Sequence, residues 1–455
     1  MIAVADRPLK SEGAGERLFQ GFVGTLRTTA ARHVFLRGYR AFPSVPAGSD
    51  VDLLVHPADR NAVEAAFREA AKREGFHIWQ RFRSGFITRL YAYTFDDERG
   101  HVFFDIDLHT SEASYGIPYL DAESLLALAV DEGGPRHLPA SVEALVNALG
   151  HLFMGGQLPE KYRTAWQASG PEAHASELLA TLLGSEDSQA VLDSLNTARD
   201  KEPQVDGRGL GAHARRKMLV RHPIRSILGF ATFAFGERVK PWFSPRGRFL
   251  IFAGTDGSGK TTLVRELLAK IGPRFRDGAV EEHHLRPGVI PQISSLFHGG
   301  KPAYSIEDMS DPHRSTPSGF VGSALRTMYY WVDYFVGYPM RILPRRRRNS
   351  LIVYDRWFYD HVVDPRRFRI ALGHPLPAML KRFLAKPDQL IVCTAQPETV
   401  LQRKQELAPQ EVARQVEEFQ AFAAREPRAT LVNTTAAVET CVDQIIQAVF
   451  GGARA

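Results

Sequence analysis

Cysteine is almost missing from this sequence: Cys393 and Cys441 are the only two in 455 residues. Two thiols so far apart form neither a disulfide framework nor a four-ligand zinc site, and their scarcity fits a reducing, cytoplasmic compartment. Long apolar runs are missing as well. The longest candidate, SILGFATFAFG (226–236), is about half of the roughly 20 residues that a membrane helix needs. The opening residues, MIAVADRPLK, lack the basic stretch and apolar core of a secretory signal. No internal repeat is visible. Charge of one sign is only slightly in excess, 57 Lys and Arg against 51 Asp and Glu for a net +6. That suits anionic small molecules such as nucleotides. With no aromatic-interleaved basic motif present, nucleic acid is not an expected partner.

What remains is a globular composition, 44% hydrophobic and 24% charged. A single core stops growing at about 250–300 residues, so the length implies two or three domains. Residues 1–202 carry apparent strands at 34–39, 51–56, 86–95 and 101–109, with helix-like stretches such as 60–75 and 123–133. Residues 203–245 begin polar and Gly-rich (PQVDGRGLGAHARRK) and become basic and apolar (MLVRHPIRSILGFATFAFGERVKPWF). This middle stretch reads either as a linker with a docked helix or as a weakly membrane-associated surface segment. In residues 246–455 strands and helices alternate, the pattern of a doubly wound parallel sheet. The predicted class is therefore α/β for the C-terminal part and α+β for the N-terminal part.

One stretch carries chemistry directly. Gly254-Thr-Asp-Gly-Ser-Gly259-Lys260-Thr261 has the form G-x-x-x-x-G-K-[ST], preceded by the apolar run Phe249 to Ala253 and followed by a helical pattern. Gly254, Gly257 and Gly259 let the backbone curl so that successive N–H groups, those of Asp256, Ser258 and Thr262 among them, cradle phosphates. Lys260 would bridge the β- and γ-oxygens, and the Thr261 hydroxyl would hold Mg²⁺. The implied cofactors are ATP and Mg²⁺. A second apolar run, LIVYD, ends in Asp355, placed to reach the metal, with Arg356 beside it placed to touch a phosphate; an ordinary strand-end ion pair is the plainer reading. Pro387 to Glu406 reads as a strand leading through Pro397 into a helix with Arg403 and Lys404, either a lid over transferring phosphates or a solvated face. The run RRRR (345–348) reads as a solvated helix end or an anion-facing patch.

GTDGSGKTTL, YDRW and PDQLIVCTAQPETVLQRKQE together resemble the thymidylate kinase group of P-loop nucleoside monophosphate kinases, over 246–455. HLRPG (284–288) is similar to that group's Arg-Glu-Pro-Gly segment, without the Glu, and VNTT (432–435) falls where the group has a loop near the base. The resemblance implies that Arg356 and Arg286 contact the acceptor, that Arg403 belongs to a lid, and that Tyr329, Tyr330 and Asp333 lie near the acceptor pocket. It also implies that a homodimer is open. The long segment after HLRPG and the sequence WFYDHVVDPRRFRI depart from true thymidylate kinases. They look more like the thymidylate kinase-like proteins of polysaccharide and cell-surface gene clusters, so the acceptor stays open.

The N-terminal part has its own carboxylates. GSDVDLLV (48–55) sets Asp50 and Asp52 two apart, and FFDIDLH (103–109) sets Asp105, Asp107 and His109 on one face of a strand. Neighbouring carboxylates repel unless a cation joins them, and two such strands would hold two Mg²⁺ ions for attack on an α-phosphate. Solvent-facing alternation is the plainer reading. With LRGYRAFPSVPAGSD (36–50), the pairs resemble the nucleotidyltransferase superfamily with the DNA polymerase beta-like fold, over about 15–165. Tyr39 stands where that family has Gly or Ser, and Asp107 is the favoured third carboxylate. The expectation is a kinase domain, fused to a nucleotidyltransferase-like one that is either active or a binding module. The rival is an ATP-driven switch or scaffold for cell-surface assembly.

Overall fold

The strand patterns of the sequence become two five-stranded sheets in a computed structural model. It describes residues 13–44, 50–96, 99–170, 173–197, 206–275, 280–291, 319–371, 373, 375–404 and 408–451. These divide into two compact units, one ending at Lys240 and the other beginning at Pro241.

In the first unit the strands are β1 (His33–Arg37), β2 (Val51–Val55), β3 (His77–Ser84), β4 (Ile87–Asp96) and β5 (Gly100–His109), in the order β1-β2-β5-β4-β3. Only the β2–β5 pair is parallel; the remaining pairs are antiparallel. Alternation decides the faces. Phe35, Leu53, Leu90, Ile106 and Leu108 point to one side and pack with Phe19 and Phe22 of α1 (Ala14–Thr28) and Phe67 of α2 (Arg60–Arg73). On the other side Val34, Leu36 and Leu54 join a mainly helical core, which includes Leu149 and Phe153 of α4 (Ala140–Gly155). That core covers one end of the face and leaves Asp52 and Asp107 beyond it.

Three sequence expectations change here. β3 went unread. Its residues HIWQRFRS carry a bulge between Ile78 and Gln80, which breaks the period-2 signal. The helix expected over 123–133 is only α3 (Ala122–Leu126), capped by Asp121. It stops because Val130 turns into a bridge with His137, closed by two backbone hydrogen bonds of 2.8 and 3.0 Å. The Gly-rich start of the middle stretch is helix α8 (Gly207–Arg221), capped by Asp206. Its glycines serve close packing: a Cβ on Gly207 would meet Leu152 Cδ1 at 2.4 Å, and one on Gly211 would meet the Phe153 carbonyl at 2.9 Å. Helix α9 (Pro223–Ala234) follows and lies on β7 (Ile117–Asp121), which pairs with β6 (Ser111–Ser114). Among the described residues no helix is long and apolar enough to cross a membrane.

The second unit is an all-parallel sheet of β8 (Arg248–Ala253), β9 (Val280–His284), β10 (Leu351–Asp355), β11 (Gln389–Thr394) and β12 (Ala429–Asn433), ordered β12-β11-β8-β10-β9. β8 is buried along its whole length and sits at the centre. The chain runs from β8 to one edge, returns through β10, then crosses to β11 and β12. In such sheets the crevice at the strands' carboxyl ends is where ligands sit. The loop 254–259 lies there, between β8 and α11 (Lys260–Ile271).

Candidate functional site

The loop after β8 needs glycine at three places. Gly254, Gly257 and Gly259 have φ of 142°, 82° and 81°, a region that side chains disfavour. A Cβ on Gly254 would also stand 2.3 Å from the Cys393 carbonyl of β11. The curled loop surrounds Lys260, whose Nζ donates to the carbonyls of Gly254 (3.0 Å) and Thr255 (2.8 Å). Lys260 is buried, and burial followed by the nearby Arg356 lowers its proton affinity below that of an ordinary lysine. Ser258 Oγ and Thr255 Oγ1 are buried with no hydrogen-bond partner. Thr261 and Thr262, on the first turn of α11, face solvent.

Asp355 ends β10 opposite Phe252 and His284. Its Oδ2 lies 3.4 Å from His284 Nδ1, and its Oδ1 is buried without a partner. Burial favours its protonated form, yet His284, Lys260 and Arg356 together hold it below the usual carboxylate range. Arg356 takes φ 74° to turn back under the loop. Its guanidinium binds Asp360 Oδ1 at 2.7 Å and also Asp256. Arg367 Nη1 reaches the other oxygen of Asp256 at 2.5 Å. Burial opposes ionisation of Asp256, and Arg356, Arg367 and Lys260 outweigh it, so the carboxylate stays charged well below its ordinary range. The loop is thus clamped by two arginines from outside it.

Arg403, at the end of helix Pro397–Arg403, crosses the other side of the loop. It donates to Thr434 Oγ1 (3.1 Å) and Thr434 O (2.9 Å), and a Cβ on Gly259 would lie 3.6 Å from its Nη1. The acceptor-side residues of the sequence reading form a separate group. Asp333 is fully buried and accepts from the backbone N–H of Gly288 (2.9 Å), Val289 (2.6 Å) and Ile290 (2.8 Å). Its role here is to shape the loop that carries Arg286. Arg286 lies 3.5 Å from Asp333 and over the Tyr330 ring at 5.9 Å. Tyr330 meets His361 and Phe368 edge-on, while Tyr329 donates to the Pro291 carbonyl. Tyr329, Tyr330 and Asp333 come from helix α12 (Phe320–Gly337), and Arg286 faces it.

Sequence reasoning missed Asp360, Arg367 and His361. Asp360 opens the short helix Asp360–Val363, four residues after Arg356. The Arg367–Asp256 pair had no local signal, since 111 residues separate its partners.

In the first unit, Asp52 and Asp107 are register partners across β2 and β5. Together with His109 they offer ligand atoms that all lie within 4.8 Å of one another. Each carboxylate already faces a protein cation. Arg37 Nε is 2.6 Å from Asp52, Arg89 Nε is 2.8 Å from Asp107, and His109 Nε2 is 3.4 Å from Asp52. Burial disfavours a charge on His109, but Glu112 and Asp52 raise its affinity for a proton to about 10. Those carboxylates favour its protonated form, which offers no free nitrogen to a metal. Asp50 and Asp105 fall outside this cluster. Asp50 precedes the first residue of β2, so strand alternation does not aim it. It lies at the rim, where the surrounding protein and then Asp107 and Asp52 push its carboxyl up. Asp105 sits one pleat away, opposite Tyr91. Two carboxylates that converge suit one hard cation better than a pair. Tyr39 is buried and donates to Glu143 Oε2. Beside it, Arg37, Arg40, Asn147, Lys161 and Tyr162 line a hollow of about 450 Å³.

No family model matches the chain, and no curated protein does. Among solved structures it is similar to the thymidylate kinase of Ehrlichia chaffeensis, at 14% identity over 45% of this chain and 98% of that one, with a TM-score of 0.32. It is also similar to the thymidylate kinase of Candida albicans, at 18% identity over 44% of this chain and 90% of that one, with a TM-score of 0.33.

Proposed function

We propose that the second unit is an ATP- and Mg²⁺-dependent phosphotransferase whose acceptor is a nucleoside monophosphate or a related phosphorylated small molecule. The observation that carries this reading is the buried Lys260 ammonium in the mouth of a glycine loop, with Asp355 Oδ1 buried nearby and unpartnered. A phosphate chain would give the ammonium and the loop N–H groups the anionic partner they lack, and the N-terminus of α11 adds favourable field. Asp355 and the exposed Thr261 hydroxyl would hold Mg²⁺ or its water shell. Bound MgATP would supply the phosphoryl group. The protein's part is positioning and charge: Lys260 and Arg403 face the transferring group, while Arg356 and Arg367 fix the loop through Asp256. Purified protein with MgATP and dTMP, or with a pool of phosphorylated metabolites, should yield ADP and a new phosphate ester by ³¹P NMR. Ester formation that survives Lys260→Ala, or no ester with any acceptor, would defeat the reading.

For the first unit we propose metal-assisted nucleotidyl transfer, favoured by the register pairing of Asp52 with Asp107. One Mg²⁺ between them would compete with Arg37 and Arg89, freeing those cations for an incoming phosphate. Pyrophosphate release that disappears in Asp52→Asn is the expected result. Release that persists unchanged in that variant would reduce this unit to a binding module.

A further inference from the structure

Helix α9 is built the wrong way round for an ordinary surface helix, which turns its large apolar residues to the core. Its fully buried positions are small: Ser226 and Gly229 lie inward beside the half-buried Phe233, which meets the Tyr115 ring, and a Cβ on Gly229 would stand 2.2 Å from the Gly116 carbonyl. Its outward row is large and apolar. Ile224 is 75% exposed, Ile227 58% and Leu228 60%, continued by Phe235 at 57% on one side and by Val220 of α8, 79% exposed, on the other. Ile224, Ile227 and Leu228 share one face of α9 by helical spacing.

This face is flanked by cations. Arg216, Arg221, Arg225 and Arg238 are exposed around it. Residues 206–240 hold eight Lys and Arg against two acidic residues, a net +6 that equals the formal net charge of the whole chain. Along α8, His213, Arg216, Lys217, Val220 and Arg221 line a groove of about 650 Å³. A second copy of the chain meeting this face through a two-fold axis would set like charge on like charge. An anionic lipid surface is the complementary occupant, because it takes the apolar row into its headgroup region and pairs the arginines with phosphates. α9 has 12 residues, a length of about 18 Å that lies in an interface and does not span it. We infer that the outward face of α8 and α9 docks this protein on an anionic bilayer.

Flotation of the full chain with vesicles tests this. Protein should float with phosphatidylcholine vesicles that contain phosphatidylserine, stay behind with phosphatidylcholine alone, and detach as salt rises. Arg221→Glu with Arg225→Glu should weaken association about tenfold or more. Ile227→Glu with Leu228→Glu should abolish it. All four side chains are exposed, so circular dichroism and melting should match the parent chain. Absence of flotation on the mixed vesicles, or equal flotation on neutral ones, overturns the inference. So does a dimer in light scattering that falls apart in the Ile227→Glu, Leu228→Glu protein, which would assign this face to a second copy.

Discussion

Lys260 is a buried ammonium whose hydrogen-bond partners are two backbone carbonyls, at 3.0 and 2.8 Å. Replacing it by methionine, similar in length and without charge, removes the desolvation cost along with those bonds. Lys260→Met should therefore hold stability within about 1 kcal/mol of the parent in urea. Phosphoryl transfer should meanwhile fall roughly a hundred- to thousandfold. Asp360 is the opposite case. It is fully buried, binds Arg356 at 2.7 Å and accepts the Trp357 N–H at 3.2 Å. Asp360→Ala would remove the buried carboxylate that binds the Arg356 guanidinium, leaving it Asp256 and the nearby Asp355, a loss of about 3 kcal/mol in denaturant unfolding. His361 is fully buried against Phe358 and Phe368, and neither ring nitrogen has a hydrogen-bond partner. Burial lowers its pKa to about 3, and the nearby Phe358 carbonyl offsets only a small part. The sign is then fixed. Above the unfolded value of about 6.5 the ring is neutral in both states and full stability is present. Below it the unfolded chain takes the proton and the folded one does not, so stability is lost from about pH 6.5 down to about pH 3. His361→Phe should remove that slope and gain about 3 kcal/mol relative to the parent at pH 4, read from paired unfolding curves at pH 4 and pH 7.

At the scale of elements, close approach replaces large side chains where α9 meets the β6–β7 hairpin. Gly229→Ala places a Cβ 2.2 Å from the Gly116 backbone carbonyl, a contact that no side-chain rotation relieves. The helix must lift, costing about 1–3 kcal/mol of first-unit stability, with increased amide exchange in β6 and β7. The same feature explains what the sequence showed and what it hid. FFDIDLH was legible because alternation alone puts Asp105, Asp107 and His109 on one face, and the strand appears at Gly100–His109. The loop 254–259 was legible because its strand, glycines and helix are contiguous. GRGLGAHA read as a linker because glycine has low helix propensity; only the distance to Leu152 and Phe153 reveals why glycine is there. β3 was hidden by its bulge. The second clamp on the loop was hidden because Arg367 and Asp256 are brought together by the fold, and the local pattern around each says nothing of the other.

At the scale of the molecule, the core groups stay within their units. Those around β1–β5 contain only residues before Pro241, and those around β8–β12 only residues after it. Ligand linkage acts on the state that binds. If MgATP sits on the loop after β8, its binding energy raises the opening free energy of the sheet that carries this loop. At a ligand concentration about 100 times Kd that gain is about 2.7 kcal/mol, close to a hundredfold slowing of amide exchange in β8, β10 and β11. The amides of β2, β4 and β5 should slow only where the first unit takes ATP as its own nucleotide donor. Hydrogen exchange with mass spectrometry on the full chain, with and without MgATP, reads both sheets in one sample. Lys260→Met should erase the slowing, while Asp52→Asn should leave it intact. Slowing in β2 and β5 alone would place the nucleotide on the Asp52–Asp107 pair and remove the loop after β8 as the ATP site. Slowing in both sheets that Lys260→Met halves would mean two nucleotide sites on one chain, as a kinase joined to a nucleotidyltransferase requires.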